Sequence, residues 1–220
     1  MKLCLGLMQR KECLCLTWRG RLAVLALVAL AWVGLLYGTY PYLATHESRP
    51  GGFLIVEGWA PDYVFEAVTN EFAHHRYEKI LVTGGPLDKG SPLLGYKTTA
   101  EVGAATLAKM GLATNLFEAV PAPYVPKDRT YQSALILKAK LAAAGKLPTN
   151  LNIITLGAHA RRSRMLFERV FGKDATIGVL AFPSRDFDEQ HWWRSSGGVR
   201  TVMSELFSYG YARFIFTKPE

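Results

Sequence analysis

Residues Asn152–Phe171 read NIITLGAHARRSRMLFERVF. The apolar run Ile153-Ile154-Thr155-Leu156 is short enough for a buried strand, and the chain turns at Gly157-Ala158. A helical pattern follows at once, with Met165, Leu166, Val170 and Phe171 on one face. His159, Arg161, Arg162 and Arg164 crowd its first turns. A helix N-terminus attracts anions through unpaired N–H groups and the macrodipole. Cations there oppose the dipole, so an acidic side chain or a bound anion is expected as compensation.

The same strand-turn-helix unit repeats on either side. Phe53–Val56 is a buried strand ending at Glu57-Gly58-Trp59, and Pro61-Asp62 starts a helix to about His75 with Val64, Phe65, Val68 and Phe72 inward. Lys79–Thr83 is a second strand, followed by Gly84-Gly85-Pro86. Thr98 or Thr99 caps a helix to Met110, stopped by Gly111. Phe117–Val120 is a third strand, and Arg129–Ala144 a helix ended by Gly145. Thr176–Phe182 is the fifth strand. Gly198–Phe216 is the last helix, with Val202, Leu206, Tyr209 and Phe216 as core positions. Alternating strands and helices predict an α/β fold, a doubly wound, mainly parallel five-stranded sheet of Rossmann type. In such sheets ligands bind beyond the carboxyl ends of the strands. That rule gathers Glu57-Gly58, Thr83-Gly84-Gly85, Lys127–Thr130 and Gly157–Arg162. GxGxxG, GxxxxGK[ST] and GxSxG patterns are absent.

Leu22–Thr45 holds no charged residue. As a helix it would extend ~36 Å, enough to cross a bilayer. Trp32, Tyr37, Tyr40 and Tyr42 gather toward its far end, as interfacial aromatics do, and Pro41 is expected to break it. A signal peptide has an apolar core of about 7–15 residues ending in small residues, unlike this run. The net charge is +8. Lys2, Arg10, Lys11, Arg19 and Arg21, against Glu12, place half of it ahead of the apolar run. The expectation is a cytoplasmic basic segment (1–21), one transmembrane helix (22–45) and an extracytoplasmic domain (46–220), in a single-pass plasma (inner) membrane protein. His46–Gly52 reads as a short linker. Cys4, Cys13 and Cys15 all precede the anchor, so the domain has no internal disulfide; they read as free thiols or palmitoylation sites. No basic stripe with interleaved aromatics argues for nucleic acid.

The order of the motifs resembles the YdcF/SanA/ElyC family. Its pattern has a strand ending in Ser-Gly-Gly, here Thr83-Gly84-Gly85, and a helix with an early glutamate, here Glu101. A segment around a threonine follows, here Thr130 and Ala134. A strand leading into His-x-x-Arg-Ala is matched by His159 and Arg162, and a last-helix glutamate by Glu205. Arg129 and Ser133 stand where the family has asparagines, and Glu57-Gly58-Trp59 replaces a glycine run. The resemblance spans Phe53 to Phe216. It implies an inner-membrane protein of envelope (cell wall or polysaccharide) biogenesis and supplies no reaction.

The candidate site residues carry paired readings. Arg162 clamps a phosphate or carboxylate with its planar fork, or pairs with Glu101 or Glu205. His159 is a general acid or base, or a helix-cap histidine. Glu57 is a second candidate catalytic group, its pKa raised by burial beside Trp59, or it pairs with an arginine. Thr83, Gly84 and Gly85 offer N–H groups to an anion or form a plain turn. Arg129 and Thr130 contact the ligand, and Asp128 lines the pocket or caps a helix. Glu101 and Glu205 orient the arginines, while Arg161 and Arg164 are expected in solvent. His74-His75 is read as surface, and no metal or cofactor is assigned. Trp192 and Trp193 pack on the core, face the membrane interface or form a lid. The Asp186, Asp188, Glu189 cluster is a solvated loop or a cation site. The expected partners are the membrane, an anionic small molecule or lipid-linked precursor, and envelope proteins.

Overall fold

The structure is a computed structural model that describes residues 2–3, 8–9, 16–88 and 90–217. The chain divides into two compact units, Met1–Leu36 and Tyr37–Glu220. In the first, Lys2–Leu3 pairs antiparallel with Met8–Gln9. Cys4, Cys13 and Cys15 lie outside the described residues.

Helix α1 (Trp18–Leu43) starts in the first unit and ends in the second. It is long and apolar enough to cross a membrane. Leu22, Leu25, Leu27, Leu30 and Trp32 are each more than half exposed, which the core helix of a water-soluble domain would not allow. Pro41 does not break it, contrary to expectation. Pro41 sits in the last turn, and the helix ends two residues later at Leu43.

The second unit is a five-stranded, all-parallel sheet. Its strands are β1 (Phe53–Glu57), β2 (Ile80–Gly84), β3 (Phe117–Pro121), β4 (Asn150–Leu156) and β5 (Thr176–Phe182). They lie in the order β3-β2-β1-β4-β5. The chain winds outward from β1 through β2 to β3, then returns to β4 on the other side of β1. The strand order therefore reverses between β1 and β4, where doubly wound sheets open a crevice.

Both sheet faces are covered, which is why the central strands read as continuous apolar runs. Side chains alternate with the period of two. Phe53 and Ile55 join one core layer with Leu137 of α4 (Arg129–Ala143), and Leu166, Phe167 and Phe171 of α5 (Ala160–Phe171). Leu54 and Val56 join the other, with Val64, Phe65 and Val68 of α2 (Asp62–His74) and Leu107 of α3 (Thr99–Lys109). The last helix, α6 (Ser196–Phe214), buries Val202 and Ala212; Leu206, Tyr209 and Phe216 are only partly covered.

The stretch read as a linker is fastened to the domain. Glu47 exchanges both backbone hydrogen bonds with Val179 of β5, each 2.8 Å. The fully buried Asn152 accepts from Arg49 N at 2.7 Å and donates to Arg49 O at 2.8 Å. The end of α1 is likewise part of the domain core, with Tyr40 6% and Leu43 0% exposed. Tyr40 meets the turn after β4, where a Cβ on Gly157 would collide with the Tyr40 hydroxyl. Gly157 also has φ +21°. The domain boundary therefore falls near Tyr37 rather than at His46.

Leu43→Ala removes a fully buried side chain and should cost about 2–5 kcal/mol, read as a lower unfolding midpoint of the full chain in detergent. Leu30→Ala, on the exposed part of α1, should leave that midpoint unchanged.

Candidate functional site

The crevice between β1 and β4 holds a buried line of alternating charges. Glu57 ends β1 and is 4% exposed. Its carboxylate accepts from the Thr155 hydroxyl of β4, and from the Ser163 hydroxyl of α5 at 3.2 and 3.3 Å. His159, 8% exposed, follows in the short turn Gly157–His159. Its Nε2 lies 3.4 Å from Glu57 Oε1, within ion-pair range but outside hydrogen-bond geometry. Its Nδ1 donates to Glu205 Oε1 of α6 at 3.0 Å. Arg162, one helical turn on, grips Glu205 with both arms, Nε to Oε2 at 2.9 Å and Nη2 to Oε1 at 3.2 Å. Nη2 is also 2.9 Å from His159 Nδ1, so one carboxylate bridges two adjacent cations.

The ordering of charge fixes the protonation states. Burial disfavours a charged imidazole, but the Glu57 charge and the hydrogen bond to Glu205 outweigh it and raise His159 to about 9. Burial would raise Glu205 too, yet His159 and Arg162 hold it down at about 2. Glu57 was expected to be raised beside Trp59. Burial does push it up, but His159, the Thr155 hydroxyl and Arg162 together leave it lowered. The site therefore holds a carboxylate, an imidazolium, a second carboxylate and a guanidinium.

Above this line lies a cleft of about 330 Å³ lined by Trp59, Gly84, Gly85, Arg129, Thr130, His159 and Arg162, among others. Three of the four strand-end segments proposed from sequence thus contribute to one cleft. From the first, after β1, Trp59 lines it; Glu57 lies below. Trp59 stands edge-on to His159, ring centres 5.0 Å apart. Gly84 is required by close approach, because a Cβ there would strike Thr99 and Ala100 at the start of α3. Thr83 also lines the cleft; it is 1% exposed and its hydroxyl donates back to Val56 O at 3.5 Å.

The start of α4 is open. Asp128 occupies the N-cap position with φ 58°, and its side chain makes no capping hydrogen bond, contrary to expectation. Among the described residues no side-chain hydrogen bond reaches the first N–H groups of this helix, beside Arg129 and Thr130. Arg129 is exposed, its nearest carboxylate being Asp88 at 3.6 Å.

Other expectations are corrected. Glu101 orients no arginine. It closes a capping box with Thr98, accepting from Lys97 N at 2.7 Å and Thr98 N at 2.9 Å. Arg161 and Arg164 are half-buried and paired rather than free in solvent. Arg161 donates to Tyr42 O and lies 4.0 Å over the Tyr42 ring; Arg164 pairs with Glu47 and Glu168, each at 2.8 Å. Trp192 is buried, and Trp193 packs on Tyr37 at 4.7 Å, so neither is a lid. Asp188 pairs with His191 at 2.7 Å, and Glu189 accepts from the Tyr40 hydroxyl. Among the described residues no group of three or more His, Cys, Asp or Glu is disposed to hold a metal ion.

Sequence reasoning passed over Thr155 and Ser163. Each carried a signal: a hydroxyl inside an apolar strand, and a polar residue four positions after His159 on a helix face that turns inward. Neither a family model, nor a curated protein, nor a solved structure matches this chain.

The raised pKa of His159 has a definite sign. Its stabilising contribution is complete below about pH 6.5 and is lost as pH rises toward 9. Denaturant unfolding should show stability falling by about 3 kcal/mol across that window, at ~1.4 kcal/mol per unit. His159→Gln should flatten this limb, and a flat profile in the parent protein would contradict the buried imidazolium. At the acid end the Glu205 contribution holds above about pH 4.5 and fades toward 2.

Proposed function

We propose that this chain is a single-pass membrane protein that binds a phosphate-bearing or other anionic ligand in the cleft above His159. It lies in the inner membrane, N-terminus in the cytoplasm and domain outside. It serves cell wall or polysaccharide biogenesis, as its resemblance to the YdcF/SanA/ElyC family implies. The observation that carries the binding reading is the pairing of two unused donor sets across one cleft. One is the uncapped start of α4. The other is Nη1 of Arg162, the nitrogen of its fork that Glu205 and His159 leave free. A helix N-terminus and a guanidinium fixed by a bidentate carboxylate both suit phosphate oxygens. Exposed Arg129 adds charge at the rim, and the face of Trp59 offers a platform for an apolar or sugar portion. The anionic envelope ligands that fit this chemistry are lipid-linked phosphates and activated sugars.

Binding without chemistry is the second reading, as an accessory module of an envelope assembly. The burial of Glu57 and His159 against each other favours it. A general base needs a free lone pair within reach of its proton. Here Glu57 already accepts two hydroxyl hydrogen bonds, and His159 Nε2 is buried facing Glu57.

The full chain in detergent should be stabilised by a polyprenyl phosphate or a nucleoside diphosphate sugar. At a hundredfold excess over Kd the midpoint should rise by roughly 5–10 °C. Arg162→Lys keeps the charge but loses the fork, and should remove most of the shift; the exposed Arg129→Ala should reduce it. No shift with either ligand would sink the anion-binding reading. A ligand consumed by the parent protein but not by His159→Gln would overturn the non-catalytic one.

A further inference from the structure

A second cationic site lies away from the cleft, against the end of α1. Arg161, Arg164 and Arg169 of α5 and Arg213 of α6 surround an open pocket of about 410 Å³. Arg164 is neutralised by Glu47 and Glu168, the acidic groups that face this cluster. The other three have no carboxylate within reach among the described residues. Arg161 donates to the Tyr42 carbonyl and stacks on the Tyr42 ring, Arg169 donates to the Arg213 carbonyl at 3.3 Å, and Arg213 lies over Phe214.

The position of this pocket follows from the length of α1. Twenty-six residues extend ~39 Å, against a hydrocarbon core of about 30 Å. Tyr42 and Leu43, at its end, must then stand at headgroup level. Arg161 is stacked on Tyr42, and the Tyr42 hydroxyl is 3.2 Å from that of Tyr209, which lines the pocket. Beside Arg213, Phe214 is 83% and Ile215 68% exposed. Exposed apolar side chains next to unpaired arginines are what a surface resting on an anionic bilayer requires.

The geometry points to this pocket as a binding site for the phosphate headgroup of an anionic phospholipid in the leaflet where α1 ends. The inference rests on α1 being the membrane anchor and is independent of the cleft ligand.

The test uses the full chain in a neutral detergent. Phosphatidylglycerol, phosphatidylcholine and inorganic phosphate are added separately, and bound lipid is counted by native mass spectrometry. Phosphatidylglycerol should be retained over phosphatidylcholine, and inorganic phosphate should not displace it. Arg169→Gln with Arg213→Gln should weaken retention by about fivefold per arginine, roughly 25-fold in all. If that pair loses helicity, the exposed Arg213→Gln alone should weaken it about fivefold. Arg129→Ala, in the cleft, should leave retention unchanged. Equal retention of the two lipids, displacement by inorganic phosphate, or full retention by the arginine variants would each overturn the site. Loss of retention in Arg129→Ala would do so too, by placing the lipid in the cleft. Partition of the detergent-free chain into the aqueous phase would instead strike at the anchor.

Discussion

Four charges set side by side, two buried and two half-buried, organise the carboxyl end of this sheet. Glu57, His159, Glu205 and Arg162 alternate in sign and come from β1, the turn after β4, α6 and α5. Taking such groups out of water is expensive, and their mutual attraction roughly repays it only when each is paired. The value of the line therefore lies in position more than in net stability. Each group is held by its neighbours, and Glu205 and His159 leave Nη1 of Arg162, which lines the cleft, unengaged. Thr155 completes the arrangement by donating to Oε2 of Glu57, while Ser163 donates to both oxygens, including the Oε1 that faces His159.

The same turn is braced from below by α1. Tyr40 lies against Gly157, the residue that leads from β4 into His159, and its hydroxyl is held by Glu189. Glu189 in turn accepts from Ser184 N at 3.1 Å, in the loop after β5. Leu43, fully buried, and the Glu47–Val179 pairing continue the attachment along the chain. The last turn of an apolar helix thus packs against the turn that carries the site.

The arginines of α5 show how one helix serves two surfaces. Arg162 lines the cleft, while Arg161 and Arg164 lie around another side of the helix by the spacing of 3.6 residues per turn; Arg169 stands near the angle of Arg162 but two turns further along, at the second pocket. From sequence, Arg162 is expected at the ligand or an acid, and Arg161 and Arg164 in solvent. The fold separates them: Arg162 goes to Glu205, Arg164 to Glu47 and Glu168, and Arg161 to Tyr42.

The alternation of strands and helices, the carboxyl-end location of the motifs and the single long apolar helix were legible in the sequence. They depend on local periodicity and length, which the order of residues carries directly. The strand runs at Phe53, Ile80, Phe117, Ile153 and Thr176 needed only apolar continuity bounded by glycine, and His159 with Arg162 needed only helical spacing. What tertiary structure alone decided were the partners. Glu101 and Glu205 looked equivalent as acids, but one is held locally by the Thr98 capping box while the other is carried by α6 to the crevice. Asp128 looked like a cap until a left-handed backbone turned it away, and His46–Gly52 looked free until β5 and Asn152 captured it. Contacts between residues a hundred positions apart are set by how layers pack, and that information is not contained in any window of the chain.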